Sequence, residues 1–312
     1  MNKIFYFLLL LLLPVTIMAQ QVPQFSQYMF NTLYLNPAYA GMDDALKFSL
    51  LHRTQWAGYS ATFDQGGSPS TQVFSVNAPV YNIHSGIGFH MVNDVVGPLT
   101  GIQAQLAYAY HIPVSSGKIS LGVQGGVFSQ QIDFSKYRWA DPNDPLRRDG
   151  TQSQIKPDFA LGLYYRGAKY FAGASLTHIL SPTFDFGISG LNNPLSRVLY
   201  VNTGYDFQAS PRVTITPSAL IKSDFNVLSF ELSAIANFQK KFYAGLSYRR
   251  SDAVIAIIGI NLFNSLNLGY AFDYVVSGQS VKRPTSHEFL LSYSVPIGGP
   301  RQIIRTPRFS VR

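Results

Sequence analysis

The sequence predicts an all-β protein, a transmembrane antiparallel β-barrel of about 14 strands that follows a short segment without strands. The first reason is composition, because 46% of the residues are hydrophobic and 14% aromatic while only 13% are charged. Soluble domains carry about 25% charged residues. A mean hydropathy of +0.07 is nevertheless too low for a bundle of membrane helices. A sheet with one face in lipid and the other towards a polar interior satisfies both observations.

The second reason is a period-two pattern, which is clearest in residues 241–274. Three segments of about ten residues alternate between apolar and small or polar side chains, with turns between them, as is typical of transmembrane barrels. In the third segment the opposite face consists of Asn267, Gly269, Ala271 and Asp273. The apolar positions are Phe242, Ala244, Leu246 and Tyr248, then Val254, Ala256, Ile258, Ile260 and Leu262, then Leu266, Leu268, Tyr270, Phe272 and Tyr274.

A membrane helix is the competing interpretation of the same region. Residues 253–272 contain no charged side chain and are long enough to span a bilayer. However, Asn261, Asn264, Asn267 and two glycines interrupt the stretch, and β-branched residues crowd its first half. Two strands are therefore the better prediction.

The chain begins with the features of a secretory signal in residues 1–19. Lys3 supplies the positive start, residues 5–13 the apolar core, and Ala19 an acceptable cleavage position. The chain has no cysteine, which excludes both a lipid-modified cysteine and a disulfide framework. Removing one lysine and no acid with the signal lowers the formal charge from +8 to +7. We therefore predict an exported, basic protein.

The next segment, residues 20–46, has no strand alternation and is rich in amides and aromatics. Ser26 is expected to cap a short helical turn that runs through Tyr34. A second turn is expected to start at Asn36 and Pro37, as N-cap and first position, and to end at Gly41. We expect this segment to pack in the mouth or the lumen of the barrel, where its amides find partners.

Periodicity places the strands in residues 47–295, and the basic stretch 296–312 follows as a tail. The four longest connections, 57–70, 131–156, 181–196 and 275–285, all follow odd-numbered strands. Barrels of this kind have long loops outside and short turns and both termini in the periplasm. The tail is either solvated or a periplasmic contact for an acidic partner or lipid. The predicted strands are 47–56, 71–79, 86–94, 101–112, 118–133, 157–166, 169–180, 197–208, 212–223, 226–238, 241–250, 253–263, 266–274 and 286–295.

Two motifs near the start of the mature chain resemble those of a known family. Residues 27–41 read QYMFNTLYLNPAYAG, and residues 53–56 read RTQW. Both strongly resemble the opening of the PorP/SprF family, and similar segments continue in the family's order at 86–100, 108–114, 121–126, 157–164 and 170–179. The positions that carry the resemblance, and that it implies to be interaction residues, are Gln27, Tyr28, Asn36, Pro37, Tyr39, Gly41, Arg53, Gln55 and Trp56.

The resemblance implies an outer-membrane barrel of Bacteroidetes that takes part in type IX secretion or gliding motility. Its implied partners are outer-membrane lipid, periplasmic secretion-ring lipoproteins or a peptidoglycan-linked adaptor, and a secreted surface adhesin. The longest outer loop is a further candidate for partner contact, or a lid over the barrel, because it combines one large aromatic with mixed charge. Its candidate residues are Arg138, Trp139, Arg147 and Arg148.

Catalytic and cofactor motifs are not found. The six histidines are scattered without metal-ligand spacing, and the acidic loop at Asp141, Asn143, Asp144 and Asp149 lacks the glycine and glutamate of a calcium loop. Ser175 and His178 are three residues apart, which would place them on opposite faces of a strand. We predict no cofactor, no metal, no nucleic-acid partner and no enzymatic activity.

Two functions remain open from the sequence. The first is a docking or assembly component of the secretion or gliding machinery, or an anchor for a secreted adhesin. The alternative is a passive porin or solute channel, because a barrel of about 14 strands has an interior wider than its own side chains fill. Arg53, Arg166 and Arg249 would then line the pore.

Overall fold

The computed structural model describes residues 22–60, 67–138, 148–186, 193–276 and 284–297. Fourteen antiparallel strands form the wall of a closed barrel, which confirms the predicted fold class. The strands are β1 Ala45–Thr54, β2 Ser70–Val80, β3 Ser85–Val96, β4 Leu99–Val114, β5 Gly117–Asp133, β6 Thr151–Gly167, β7 Tyr170–Thr177, β8 Val198–Tyr205 continued by Phe207–Ser210, β9 Val213–Ser223, β10 Leu228–Phe238, β11 Phe242–Arg249, β12 Ala253–Leu262, β13 Leu266–Val275 and β14 Thr285–Pro296.

The barrel closes because its first and last strands pair with each other. Ala45 in β1 lies opposite Pro296 in β14, and the register continues without a break to Thr54 and His287. Each other strand pairs with its neighbours in the sequence, so the described strands leave no open seam. Every backbone amide at membrane depth needs a partner, and closure supplies it for strands.

The rival helix prediction for residues 253–272 is wrong, since this stretch forms the β12–β13 hairpin with Leu262 opposite Leu266. The described residues contain no helix that is both long and apolar enough to cross a bilayer.

Side chains alternate between the two faces of the wall as the period-two pattern predicts. In β11 Leu246 is 65% exposed and points outward, whereas Tyr243 and Ser247 are buried. Two inward positions of β12 depart from the polar pattern, because Ile255 and Ile257 are both fully buried aliphatic residues. They belong to a cluster that packs against Met29 and Phe30 of the N-terminal segment. An apolar inner surface exists here because an apolar segment covers it.

The two ends of the barrel differ in the length of their connections. The connections after β1, β5, β7 and β13 are long, and they all lie at one end, which we call the long-loop end. The opposite end, with tight turns such as the one between β5 and β4 at residues 115–116, we call the short-turn end. By the general rule for bacterial barrels, the long-loop end faces the cell surface.

Residues 22–44 lie inside the barrel, and we call them the plug. They contain a 3-10 turn at Tyr28–Phe30, the short helix α1 at Thr32–Leu35 and a second 3-10 turn at Pro37–Tyr39. The carbonyl of Val22 accepts a 2.6 Å hydrogen bond from Lys222 near the end of β9, so the first described residue lies at the long-loop end. The chain then crosses the lumen and enters β1 at the short-turn end. We expected the mature chain to start at the short-turn end, whereas its first described residue lies at the opposite end because the plug runs along the lumen.

Candidate functional site

A cluster of buried charged side chains fixes the plug at the long-loop end. Arg53 donates from Nη2 to Asp273 Oδ2 at 2.8 Å and from Nη1 to Glu288 Oε2 at 3.4 Å. Arg249 donates from Nε to Glu231 Oε2, also at 2.8 Å. These five residues come from five strands of the wall and all point into the lumen. Each is at most 3% exposed.

The plug enters this cluster through its backbone. The backbone N–H groups of Ser26 and Gln27 donate to the two carboxylate oxygens of Glu288, each at 2.8 Å. The Ser26 hydroxyl donates to Asp273 at 2.6 Å and accepts from Arg53 at 2.8 Å. The expectation that Ser26 caps a helical turn running to Tyr34 is therefore wrong. Ser26 uses its hydroxyl on the wall, and two separate turns follow it, the first without any side-chain cap.

The next plug residues continue the contact with the wall. The Gln27 side chain donates to the backbone carbonyl of Glu288 at 3.3 Å. The hydroxyl of Tyr28 pairs with Ser218 Oγ at 3.0 Å. Phe25 and Tyr34 contact each other edge to face with ring centroids 5.1 Å apart.

A different kind of contact holds the plug near the short-turn end. Inward-facing glycines of β3, β5 and β6 leave room for the backbone of the second 3-10 turn. A Cβ atom at Gly122 would overlap Ala38, and one at Gly86 would overlap the carbonyl of Ala40. At Gly162 a Cβ would overlap the side chain of Asn36. These three glycines, which we call the glycine cradle, let the plug approach the wall more closely than any other residue would.

The side-chain amide of Asn36 connects the turn to the wall, with its oxygen on the turn and its nitrogen on the wall. Its Oδ1 accepts from the backbone N–H of Ala38 at 2.9 Å, which is the predicted N-cap with Pro37 at the first position. Its Nδ2 donates to the carbonyls of Leu163 at 3.0 Å and Ala174 at 3.2 Å. The residue therefore begins the turn and joins it to β6 and β7.

The end of the plug is fixed by Gly41 and Tyr39. Gly41 has a φ of +72°, and its N–H donates to Asn77 Oδ1 on β2. A side chain at this φ would be strained, and a Cβ would also overlap Gly86. Tyr39 donates to Asp43 at 2.8 Å. The chain thus turns sharply from the lumen into β1.

A polar patch with no charged partner in the plug lies on the β3–β7 side of the lumen. Asp158 Oδ2 accepts from His178 Nδ1 and from Gln105 Nε2, both at 2.8 Å. Ser175 donates instead to the carbonyl of Leu35 in the plug. The expectation that Ser175 and His178 lie on opposite faces is wrong, because β7 ends at Thr177 and His178, at a φ of +55°, turns back into the lumen. Both side chains are buried.

A family model described as "Type IX secretion system membrane protein PorP/SprF" matches residues 17–293. The chain belongs to the PorP/SprF family. Together with the closed transmembrane barrel, this makes it an outer-membrane protein. No curated protein matches the sequence.

Solved structures similar to this PorP/SprF barrel are outer-membrane barrels. They include the TodX ΔS2S3 mutant monoaromatic hydrocarbon channel, with 12% identity, a TM-score of 0.47 and coverage of 85% of this chain and 94% of that chain. A FadL homologue from Pseudomonas aeruginosa has 11% identity, a TM-score of 0.47 and coverage of 89% and 95%. Omp33 from Acinetobacter baumannii has 6% identity, a TM-score of 0.46 and coverage of 80% and 98%. At such scores the likeness carries no argument about function.

The remaining residues of the PorP/SprF motif lie where β1 ends. The backbone N–H of Gln55 donates to the carbonyl of Pro69. Trp56 has a φ of +51°, and its backbone N–H donates to Ser286 Oγ at 3.0 Å. The motif is thus divided in space. Gln27, Tyr28, Arg53, Gln55 and Trp56 lie towards the long-loop end, and Asn36, Pro37, Tyr39 and Gly41 lie towards the short-turn end.

The candidate loop residues are only partly described. Arg138 is exposed and Arg148 is half-buried, at the two ends of the loop between β5 and β6. Trp139 and Arg147 lie outside the described residues, as do Asp141, Asn143, Asp144, the signal 1–19 and most of the tail. Among the described residues no group of three or more histidines or acids could hold a metal ion.

The arginines expected to line a pore are all paired. Arg53 and Arg249 belong to the buried cluster, and Arg166 pairs with Asp206 at 2.8 Å near the short-turn end. We did not predict Asp273, Glu288 and Glu231 as the acidic partners of Arg53 and Arg249. A signal was present, since each is an acid at an inward position of an otherwise uncharged strand.

Proposed function

We propose that this PorP/SprF barrel is a plugged, non-enzymatic scaffold that docks other proteins of the type IX secretion or gliding machinery. One observation carries the proposal: residues 22–44 occupy the lumen and are held at both ends by contacts with the wall. A passive channel needs an unobstructed lumen, whereas a scaffold needs a rigid barrel whose surfaces stay in place.

The fixed plug supports a scaffold for an energetic reason. Removing the plug would leave the carboxylate of Glu288 without its two backbone donors inside the lumen, and unpaired buried polar groups are costly. It would also expose Ile255 and Ile257, which pack against Met29 and Phe30. The closed state is therefore strongly favoured over an open pore.

Family membership supports the choice of partners. We infer that the short-turn end contacts a periplasmic ring lipoprotein or a peptidoglycan-linked adaptor, and that the long-loop end contacts a secreted adhesin. No small-molecule turnover is part of this function.

Affinity purification from cross-linked envelopes tests the proposal directly. The full-length protein should co-purify with proteins of the secretion or gliding machinery, and deletion of its gene should stop secretion or surface display of at least one substrate. Complementation with Gly122→Val should fail, while complementation with Gly125→Val on the same strand should succeed. Normal secretion in the deletion strain, without any co-purified envelope partner, would rule the proposal out.

A further inference from the structure

At the long-loop end, β5 and β6 extend well beyond β7, the next strand of the wall. β5 and β6 have 17 residues each, whereas β7, the next strand along, has 8. A tilted strand needs about 9–11 residues to cross a membrane. Starting from Gly167 at the short-turn end, the span is complete near Pro157. Residues 151–156 therefore stand above the membrane.

Among the described residues, residues 151–157 of β6 have a strand partner on one side only. On the β5 side the register runs without a break from Gly117 and Gly167 to Asp133 and Thr151. On the other side β7 pairs with β6 only between Leu161 and Arg166. The last backbone contact on that side is from the N–H of Ile179 to the carbonyl of Phe159, at 3.0 Å. Within the described ranges, no backbone group pairs with residues 151–157 on this side.

The same contact shows which backbone groups face the free edge. In an antiparallel strand, the N–H and C=O of one residue point to the same side, and the side alternates along the chain. The carbonyl of Phe159 points towards β7, so the odd-numbered residues direct their groups to the edge. Thr151, Ser153 and Ile155 each offer an N–H and a C=O there. Pro157 is also an odd-numbered residue, so the N–H that proline lacks would have pointed to the edge. The pairing of β6 with β5 is therefore not interrupted.

A small hairpin packed on β5 and the side chain of Gln154 hold the edge in a fixed shape. A small hairpin, in which Thr183 pairs with Pro194 and Phe184 with Asn193, packs its aromatic residues against Phe128 and Ile132 of β5. The side chain of Gln154 donates to Asp185 at 2.8 Å and accepts from its N–H at 3.2 Å. A rigid edge binds an added strand at a lower entropic cost than a mobile one.

The side chains around the edge indicate what kind of segment fits. Ile155 is 65% exposed and would lie beside an apolar side chain of an added strand. The contiguous residues 148–157, which include the edge, carry two basic side chains, Arg148 and Lys156, and one acid, Asp149. An acidic segment with alternating apolar residues is the best complement.

We propose that residues 151–157 bind an extended segment of another protein at the cell surface by addition of a strand to the edge of β6. Unpaired edge strands are templates for such pairing, in which backbone hydrogen bonds give affinity and alternate side chains give specificity. The inference rests on the proposed docking function and names one of its surfaces. The partner is an extended, acidic segment of a secreted protein, and it meets the barrel outside the membrane.

Cross-linking in intact cells tests this surface, and the cysteine-free chain makes single-cysteine probes specific. Thr151→Cys carries a photoreactive maleimide next to the edge, and Ser251→Cys carries it in the β11–β12 turn at the same end of the barrel. We expect illumination to join the Thr151→Cys protein, but not the Ser251→Cys protein, to a different polypeptide. A product between two copies of this chain, or equal products from both probes, would overturn the inference.

A pair of substitutions next to the probe separates edge pairing from side-chain contact. Ser153→Pro removes one edge N–H and leaves pairing with β5 intact, whereas Ser153→Ala removes only the hydroxyl. In the Thr151→Cys background, Ser153→Pro should reduce the cross-linked product about fivefold, as expected for one lost hydrogen bond, and Ser153→Ala should not. Equal yields from the two variants would contradict strand addition. Co-purification with periplasmic machinery should be unchanged in both, so failure here leaves the proposed function standing.

Discussion

The two ends of the plug are held by contrasting chemistry. At the long-loop end, Ser26 and Gln27 enter a cluster of buried arginines and carboxylates. At the short-turn end, the turn at Pro37–Tyr39 rests on the glycine cradle and on neutral amide hydrogen bonds from Asn36. The first end depends on charge balance and the second on close approach of backbones. The same 23-residue path therefore responds to different substitutions at its two ends.

The two ends of the plug also differ in the kind of substitution that destabilises them. A buried ion pair gains little net stability, because desolvation offsets the attraction, yet removing one partner is strongly destabilising. The contacts at the glycine cradle involve no charged groups, so removing a side chain there leaves no unpaired charge. They are destabilised when a larger side chain replaces glycine. The charged end thus penalises deletion of side chains, and the cradle penalises their enlargement.

Loss of an arginine from the cluster should have the largest effect. Arg53→Met leaves Glu288 without a cation and weakens the pairing of Asp273, so the free energy of unfolding should fall by about 3–5 kcal/mol. The measurement is the urea unfolding midpoint of the refolded barrel in lipid vesicles. Arg166→Met breaks the ion pair with Asp206, whose two side chains are 43% and 23% exposed. This variant should lower the free energy of unfolding by less than about 1 kcal/mol. Equal losses for the two variants would show that the cluster is not a structural anchor.

Adding one methyl group to the cradle should have the next largest effect. Gly122→Ala forces a Cβ into the backbone of Ala38, which cannot move aside as a side chain could, and should cost about 1–3 kcal/mol. Gly125→Ala is the matched control on the same strand, because its Cβ meets only the Phe159 ring at 3.1 Å. Unfolding midpoints of the two variants give the comparison. If both are as stable as the parent, the plug does not rest on β5 as described.

Truncation of Asn36 should have a smaller effect at the same end. Asn36→Ala removes the acceptor for Ala38 and the donor to Leu163 and Ala174, so we expect a loss of about 1–2 kcal/mol. Asn31→Ala is the control, because the amide nitrogen of Asn31 has no partner among the described residues. The same unfolding experiment should separate them, and an equal or larger loss for Asn31→Ala would contradict the assigned role.

The smallest expected effect is the loss of one neutral hydrogen bond. Tyr28→Phe keeps the ring and removes the bond to Ser218, which should cost about 1 kcal/mol. A double-mutant cycle with Ser218→Ala measures the pairwise term. Additive effects of the two substitutions would show that the hydroxyls do not interact.

The wall was predictable from the sequence because lipid on one side imposes a strict period of two. All 14 predicted strands are present, and their ends agree with the observed ones to within three residues, except that β6 begins at Thr151, six residues before the predicted start, in a stretch predicted as loop. The N-cap at Asn36 was also predictable, since Asn followed by Pro fixes a turn from local chemistry alone.

The contacts of the plug were not predictable, because they join residues that are far apart in the sequence. Glu288 receives N–H groups from Ser26 and Gln27, across more than 260 positions. Ser26 had the local signal of a helix cap, but a buried carboxylate on the wall offers a stronger, charge-assisted bond. Strand glycines indicated small side chains, but only the three-dimensional structure shows that Gly86, Gly122 and Gly162 support one turn.

Conductance across a planar lipid bilayer tests the central claim, that the plug closes the barrel. The full-length protein should insert without a steady current, and the Arg53→Met variant, which weakens one anchor, should show intermittent openings. A steady, large conductance of the unmodified protein, equal to that of the variant, would contradict a plugged scaffold and favour a passive porin.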